Sequence, residues 1–185
     1  LTKKEIKDNY IIYSGSYSYK PNKYAIDYLN NKIMPKLIKK YPKLKLVITG
    51  GGFEKKIPWV INKDIVTKNN LYNLIYYSKC MCVPLKFGSG TRIKIIEALS
   101  IGAIVISTKK GIEGIELINK APPFIIDGTQ KFIKTIIEII KNNKDIKKKS
   151  VGTRLYYLKK YSMKNITQNF IEKNLEYYSK WKSVL

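Results

Sequence analysis

The fold class this sequence predicts is α/β: a Rossmann-like parallel sheet with helices on both faces. Two observations predict it. Short apolar runs of strand length alternate along the chain with segments of helical spacing, and that alternation makes a parallel sheet covered on both sides. Within it, Val83 to Ser107 reads as strand end, glycine loop, helix and strand in immediate succession. The chain's 185 residues suit one domain able to bury a good core, and 44% hydrophobic residues with 15 Tyr argue against disorder. The expectation is a single domain over 1–185, although Leu1 is not an initiator Met, which leaves room for a longer protein.

The elements follow in order. Tyr10 to Ser14 reads as the first strand and Gly15 to Asn22 as a loop, with Pro21 opening a helix. Ala25, Ile26, Leu29, Ile33, Leu37 and Ile38 keep helical spacing, with Pro35 set to kink that helix or begin a second. Lys45 to Thr49 is a strand running into Gly50, Gly51 and Gly52. A tight turn fits these better than a dinucleotide loop, since G-x-G-x-x-G is absent and Pro58 comes soon after. Ile65 and Val66 are expected to form a short strand, Leu71 to Tyr77 a helix, and Cys80 to Val83 the next strand. Thr91 to Ile101 is helix-compatible, with Thr91 or Ser89 as cap and Gly102 as stop, and Ala103 to Ser107 is a buried strand. Ile112 to Ile118 is read as a short helix, Phe124 to Ile126 as a last strand, and Phe132 to Ile140 as an amphipathic helix. The basic run Lys141 to Lys149 is read as a solvated bend, and Ser162 as the cap of a C-terminal helix within 162–185.

Lys and Arg number 36 against 13 acids, a formal charge of +23. That balance points to nucleic acid or an anionic membrane surface. The lysines are spread rather than blocked, so compositional bias is the leading account, the membrane surface comes next and nucleic acid last. No apolar run approaches a transmembrane length, and no signal peptide is visible. Cys80 and Cys82 share a strand face, with no His and no third Cys, which is too few ligands for a metal site. Buried reduced thiols are expected, and they fit a cytoplasmic protein. The absence of His also removes Ser–His and Cys–His catalysis, and no P-loop motif occurs.

The glycine loop carries the site. A helix beginning just after Gly88, Ser89 and Gly90 offers free backbone N–H groups and its positive dipole end to an anion. Lys94 and Glu97, three apart on one helical face, stand beside the same mouth. Ligands of parallel sheets bind beyond the carboxyl ends of the strands, where Gly15 to Asn22, Thr67, Gly88 to Arg92 and Thr108 to Gly114 all fall.

GSGTRIKIIEALSIGAIVIST, from Gly88 to Thr108, resembles the sugar-nucleotide signature of glycosyltransferase family 4, the retaining group 1 transferases of GT-B fold. SGSYSYKPNKYAIDYL resembles the first strand, loop and helix of their C-terminal domain, and PKLKLVITGGG and IGAIVISTKKGIEGI its later strands. The likeness runs over residues 10 to 180 in the right order. It implies one half of a GT-B fold, with a nucleotide sugar (UDP or GDP) as donor and no cofactor and no bound metal; D-x-D, the metal motif of the other large transferase fold, does not occur. It implies that Glu97 holds the donor ribose, the alternative being an ion pair with Lys94. It places the diphosphate over Gly88, Ser89, Gly90, Thr91, Arg92 and Ile93, with Arg92 or Lys94 neutralising it and Gly15 and Lys20 contributing from the first loop. Val66 and Thr67 correspond to backbone that meets the nucleobase.

One departure stands out: a Glu expected eight residues before Glu97 is Ser89 here. Donor-sugar recognition and the catalytic residues are therefore unassigned. The resemblance covers only the donor half, which implies a partner N-terminal domain for the acceptor. A sugar-nucleotide epimerase, a basic nucleic-acid-binding module and a regulatory nucleotide-sugar binder are the competing functions.

Overall fold

A computed structural model describes residues 6, 9–117, 123–162, 164–167 and 172. Six strands form one all-parallel sheet of order β3-β2-β1-β4-β5-β6: β1 (Tyr10–Ser14), β2 (Lys45–Thr49), β3 (Val60–Asn62), β4 (Met81–Val83), β5 (Val105–Ser107) and β6 (Phe124–Ile125). Parallel neighbours require crossovers, and these carry α1 (Lys20–Tyr28), α2 (Met34–Ile38), α3 (Lys68–Tyr77) and α4 (Ile93–Ser100). Two more helices, α5 (Thr129–Lys141) and α6 (Asn143–Lys160), come after the last strand. α5 packs on α2 and the turn before it, whereas α4 packs on α3 and α6, so the sheet has a helical layer on each face. Tyr10 to Ser14 and Met81 to Val83 are accordingly buried throughout.

The first, second and fourth strands stand where the sequence places them. The long first helix is broken between α1 and α2 by a π-helical turn, Leu29–Ile33, in which the Met34 N–H reaches the Leu29 carbonyl. Pro35 has no N–H to donate, and the widened turn ends two residues before it. Cys80 and Cys82 are free, buried and on one face with sulfurs 3.7 Å apart, and burial pushes the Cys82 thiol up.

Four readings are corrected. The third strand is Val60–Asn62 and not Ile65 and Val66: Val60 pairs with Leu46, and the chain turns away at Asp64, which takes φ 48° with its N–H held by Asn62 Oδ1 at 3.0 Å. Ile65 is left 80% exposed. The stretch from Ile112 is a run of turns through Gly114 and no helix. Gly111 and Ile112 bond back to Thr108, and Gly114 takes φ 79°, which ends any helical path; Ile118 lies outside the described residues. The lysines from Lys144 to Lys149 are helical, in α6, because that helix has a buried side: the Ser150 hydroxyl donates to the Ala103 carbonyl at 2.6 Å, and Tyr157 is buried. Finally, Arg92 occupies the cap position of α4, where neither Thr91 nor Ser89 makes a capping bond.

Ser162 does cap the turn after it, its hydroxyl accepting the Asn165 N–H at 3.2 Å. The remainder of the expected C-terminal helix falls largely outside the described residues. Among the described residues, no helix is long and apolar enough to cross a membrane.

Candidate functional site

Strand order reverses between β1 and β4, so the loops leaving their carboxyl ends diverge and leave a crevice. On one side the chain leaves β1 at Gly15. Its N–H donates to the Thr49 carbonyl at 2.8 Å, and the Tyr17 N–H to the Gly51 carbonyl at 3.0 Å. Gly50 lies so close to this loop that a Cβ there would stand 2.6 Å from the Gly15 carbonyl carbon. Asn22, in the first turn of α1, holds the loop from below. Its Nδ2 donates to the Ser16 carbonyl at 2.9 Å, while the Tyr13 hydroxyl donates to its Oδ1 at 2.7 Å.

On the other side lies the glycine loop. Gly88 takes φ 112°, and a side chain there would meet Arg92 Nη2 at 2.9 Å and Pro21 Cγ at 3.2 Å. Arg92 folds back so that its Nη1 donates to the carbonyls of Ser89 and Gly90, the latter at 2.7 Å. The residue is only 9% exposed, yet its Nε and Nη2 have no hydrogen-bond partner among the described residues. A buried charged donor without an acceptor is costly, and an oxyanion is the natural group to relieve it. The Ile93 N–H, expected to face phosphate, is already bonded to the Thr91 carbonyl at 3.1 Å. A Cβ on Gly114 would come within 2.9 Å of the Thr91 hydroxyl, so the loop after β5 borders the same site.

Lys94 lies in the first turn of α4 and points across the crevice. Its ammonium donates to the Ser14 carbonyl at 2.6 Å, to Asn22 Oδ1 at 2.9 Å and to the Tyr13 hydroxyl at 3.3 Å. These three bonds use its three protons. Lys94 thus braces the β1 loop, and in this arrangement has no donor left for a phosphate. Burial, with repulsion from Arg92 second, lowers its pKa to about 8. Burial likewise raises the Tyr13 hydroxyl, against a smaller opposing pull from Arg92.

Glu97, one turn further along, does not pair with Lys94. Its Oε1 accepts the Tyr72 hydroxyl at 2.9 Å, with Lys68 Nζ at 3.6 Å, both from α3. Thr67 caps that helix by accepting the Asn70 N–H at 3.4 Å, and Val66 is half-buried against the core. The structure therefore gathers Gly15, Gly88, Arg92 and Lys94 around one crevice, and joins Glu97 to the α3 end where Val66 and Thr67 stand. Lys20 is exposed at the start of α1 and has no hydrogen bond or ion pair with this group among the described residues. Tyr13, Asn22, Lys68 and Tyr72 are the participants that sequence reading missed. Asn22 sits directly after Pro21, in a stretch that carries the family resemblance, but nothing in the spacing of Tyr72 ties it to Glu97.

This sheet order, with its site at the reversal point, defines a Rossmann-like domain of the kind that forms half of a GT-B fold. Residues 8–142 match the family model described as "Glycosyl transferases group 1", and the chain belongs to that family. An uncharacterized 44.6 kDa protein in the cps region of Klebsiella pneumoniae is 24% identical over 179 residues, covering 89% of this chain and 45% of that protein. The chain thus spans about half the length of its curated relative.

Among solved structures, HepE of Anabaena in complex with UDP and glucose superposes with TM-score 0.69 at 11% identity, over 90% of this chain and 48% of that one. A TarM mutant of S. aureus, in a complex that includes UDP, gives 0.72 at 17% identity, over 89% and 35%. The C-terminal domain of LpcC, a group 1 family protein of Francisella tularensis, gives 0.63 at 14% identity, over 83% and 85%. At these identities the likeness is one of fold.

Proposed function

We propose that this chain is the donor-binding half of a retaining glycosyltransferase that moves a hexosyl group from a UDP- or GDP-sugar to a glycan or lipid-linked acceptor. In this reading residues 1–185 act as one domain, and an N-terminal domain supplies the acceptor side. The observation that carries the reading is Arg92, a buried guanidinium at the head of α4 with two donors that have no partner among the described residues. The diphosphate sits on Arg92 and the backbone of Gly88, Ser89, Gly90 and Thr91, with Gly15 allowing close approach. Lys20 is the further cation from the first loop, Glu97 takes the ribose, and Val66 and Thr67 meet the base. UDP bound to HepE and TarM supports the nucleotide class. No metal or other cofactor is required in this scheme.

Calorimetry with UDP and GDP, with and without Mg²⁺, tests the reading. Metal-independent binding of one of them is expected, and no binding of either overturns it. The chain alone should transfer no sugar, because both substrates must be held in reactive geometry. The +23 charge fits peripheral attachment at the inner face of a membrane, in polysaccharide biosynthesis. Equal partitioning onto neutral and anionic vesicles would remove that attachment.

A further inference from the structure

A second depression on the carboxyl edge is used by none of these roles. A groove of about 390 Å³ opens between α1 and the ends of β4, β5 and β6, within the size range of small-ligand sites. One wall is aromatic. The Tyr24 and Tyr28 rings lie nearly parallel with centroids 6.2 Å apart, and Phe132 meets Tyr28 edge-on at 6.5 Å. Lys86, Lys109 and Asp127 come from the loops. The Tyr28 hydroxyl is spent on Thr129 Oγ1 at 2.9 Å, and Asp127 Oδ1 accepts the Lys109 N–H at 3.3 Å. The Tyr24 hydroxyl and the side-chain ammoniums of Lys86 and Lys109 have no hydrogen bond or ion pair among the described residues.

The two ammoniums of Lys86 and Lys109 therefore outnumber the one carboxylate, Asp127, and leave the groove with a net positive charge beside its aromatic wall. Ammonium groups donate and never accept, so they select an acceptor-rich, negatively charged ligand. The aromatic wall of Tyr24, Tyr28 and Phe132 adds apolar carbon surface for a ligand with C–H groups on one side. We propose that the groove binds a pyranose carrying an anionic group, either a carboxylate or a phosphate. Tyr24 also packs against Phe87 at 5.6 Å, just before Gly88, so the groove opens beside the glycine loop. The proposal does not depend on the nucleotide assignment.

Saturation-transfer NMR and titration of the whole chain with glucuronic acid, glucose 6-phosphate, glucose and inorganic phosphate provide the test. Both anionic sugars are expected to bind more tightly than glucose or phosphate alone. Whichever of the two binds better identifies the anionic group. The exposed-residue variant Lys86→Ala/Lys109→Ala should weaken the anionic sugars by about threefold to tenfold, as for two solvent-exposed ion pairs, and leave glucose unchanged. Tyr24→Leu should weaken all the sugars, and UDP binding should be the same in both variants. The proposal fails if neither anionic sugar binds, or if the double lysine variant keeps the full preference. It also fails if UDP displaces the sugars, because they would then occupy the crevice at Arg92.

Discussion

Lys94 Nζ stands 2.9 Å from Asn22 Oδ1, which ties the first turn of α4 to the first turn of α1 across the gap between β1 and β4. A lysine read from sequence as a phosphate ligand is thereby a brace. Its charge is tolerated at a cost, and that cost has a sign. The folded pKa, about 8, lies below the ordinary 10.5, so between those values the unfolded chain binds more protons than the folded one. Stability should then rise with pH through that window and be flat in this term below it. Relative to Lys94→Met, the parent chain should gain roughly 1–2 kcal/mol between pH 8 and 10, less than full linkage because the side chain is only half-buried. Denaturant unfolding at matched pH values measures it, and parallel stability curves would refute it.

Arg92→Ala should weaken UDP and 2′-deoxy-UDP alike, by roughly 1.5–3 kcal/mol, since it removes a charged contact to phosphate and none to sugar. The same change removes the second cause of the Lys94 shift, so the Lys94 pKa should rise. NMR titration of the lysine side chains reads this directly. Equal nucleotide affinity in mutant and parent would leave Arg92 as a clasp for its own loop.

Glu97→Gln keeps the shape and removes the charge. A loss of roughly 1.5–3 kcal/mol for the ribonucleotide, with little change for the deoxynucleotide, is expected of a carboxylate holding a diol. Calorimetry with both nucleotides decides it.

Tyr72→Phe deletes the hydroxyl that donates to Glu97 at 2.9 Å. The carboxylate then loses its orienting partner, and ribose preference should fall by roughly 0.5–1.5 kcal/mol while phosphate affinity holds. A uniform loss for ribo- and deoxynucleotides would indicate a purely structural tyrosine.

Gly50→Ala should destabilise by about 2–3 kcal/mol, because a Cβ at φ 111° would stand 2.6 Å from the Gly15 carbonyl carbon and backbone cannot step aside as a side chain can. Thermal unfolding checks this, and an unchanged midpoint would contradict the contact.

The strands most visible in the sequence were those buried on both faces, such as Tyr10 to Ser14 and Lys45 to Thr49, where apolar runs have little other use. Ile65 and Val66 misled because an apolar pair alone says nothing about pairing; the chain had already turned at Asp64, where φ is 48°. The lysines of α6 misled because helical character there comes from contacts with distant Ala103 and Tyr76, which no local window contains. In the crevice, the glycine loop ahead of α4 was legible from local spacing, whereas Arg92 entered only through the family resemblance. The side-chain aims of Lys94 and Glu97 were not legible, since each is set by partners at least 25 residues away.

The close approach of Gly15 and Gly50 has a thermodynamic consequence. Two backbone segments in direct contact, joined by hydrogen bonds from Gly15 to Thr49 and from Tyr17 to Gly51, form one preshaped lip. A guest arriving there finds its seat already made, so little chain entropy is surrendered on arrival. Amide exchange along this lip should be slow before any ligand is added and almost unaltered afterwards.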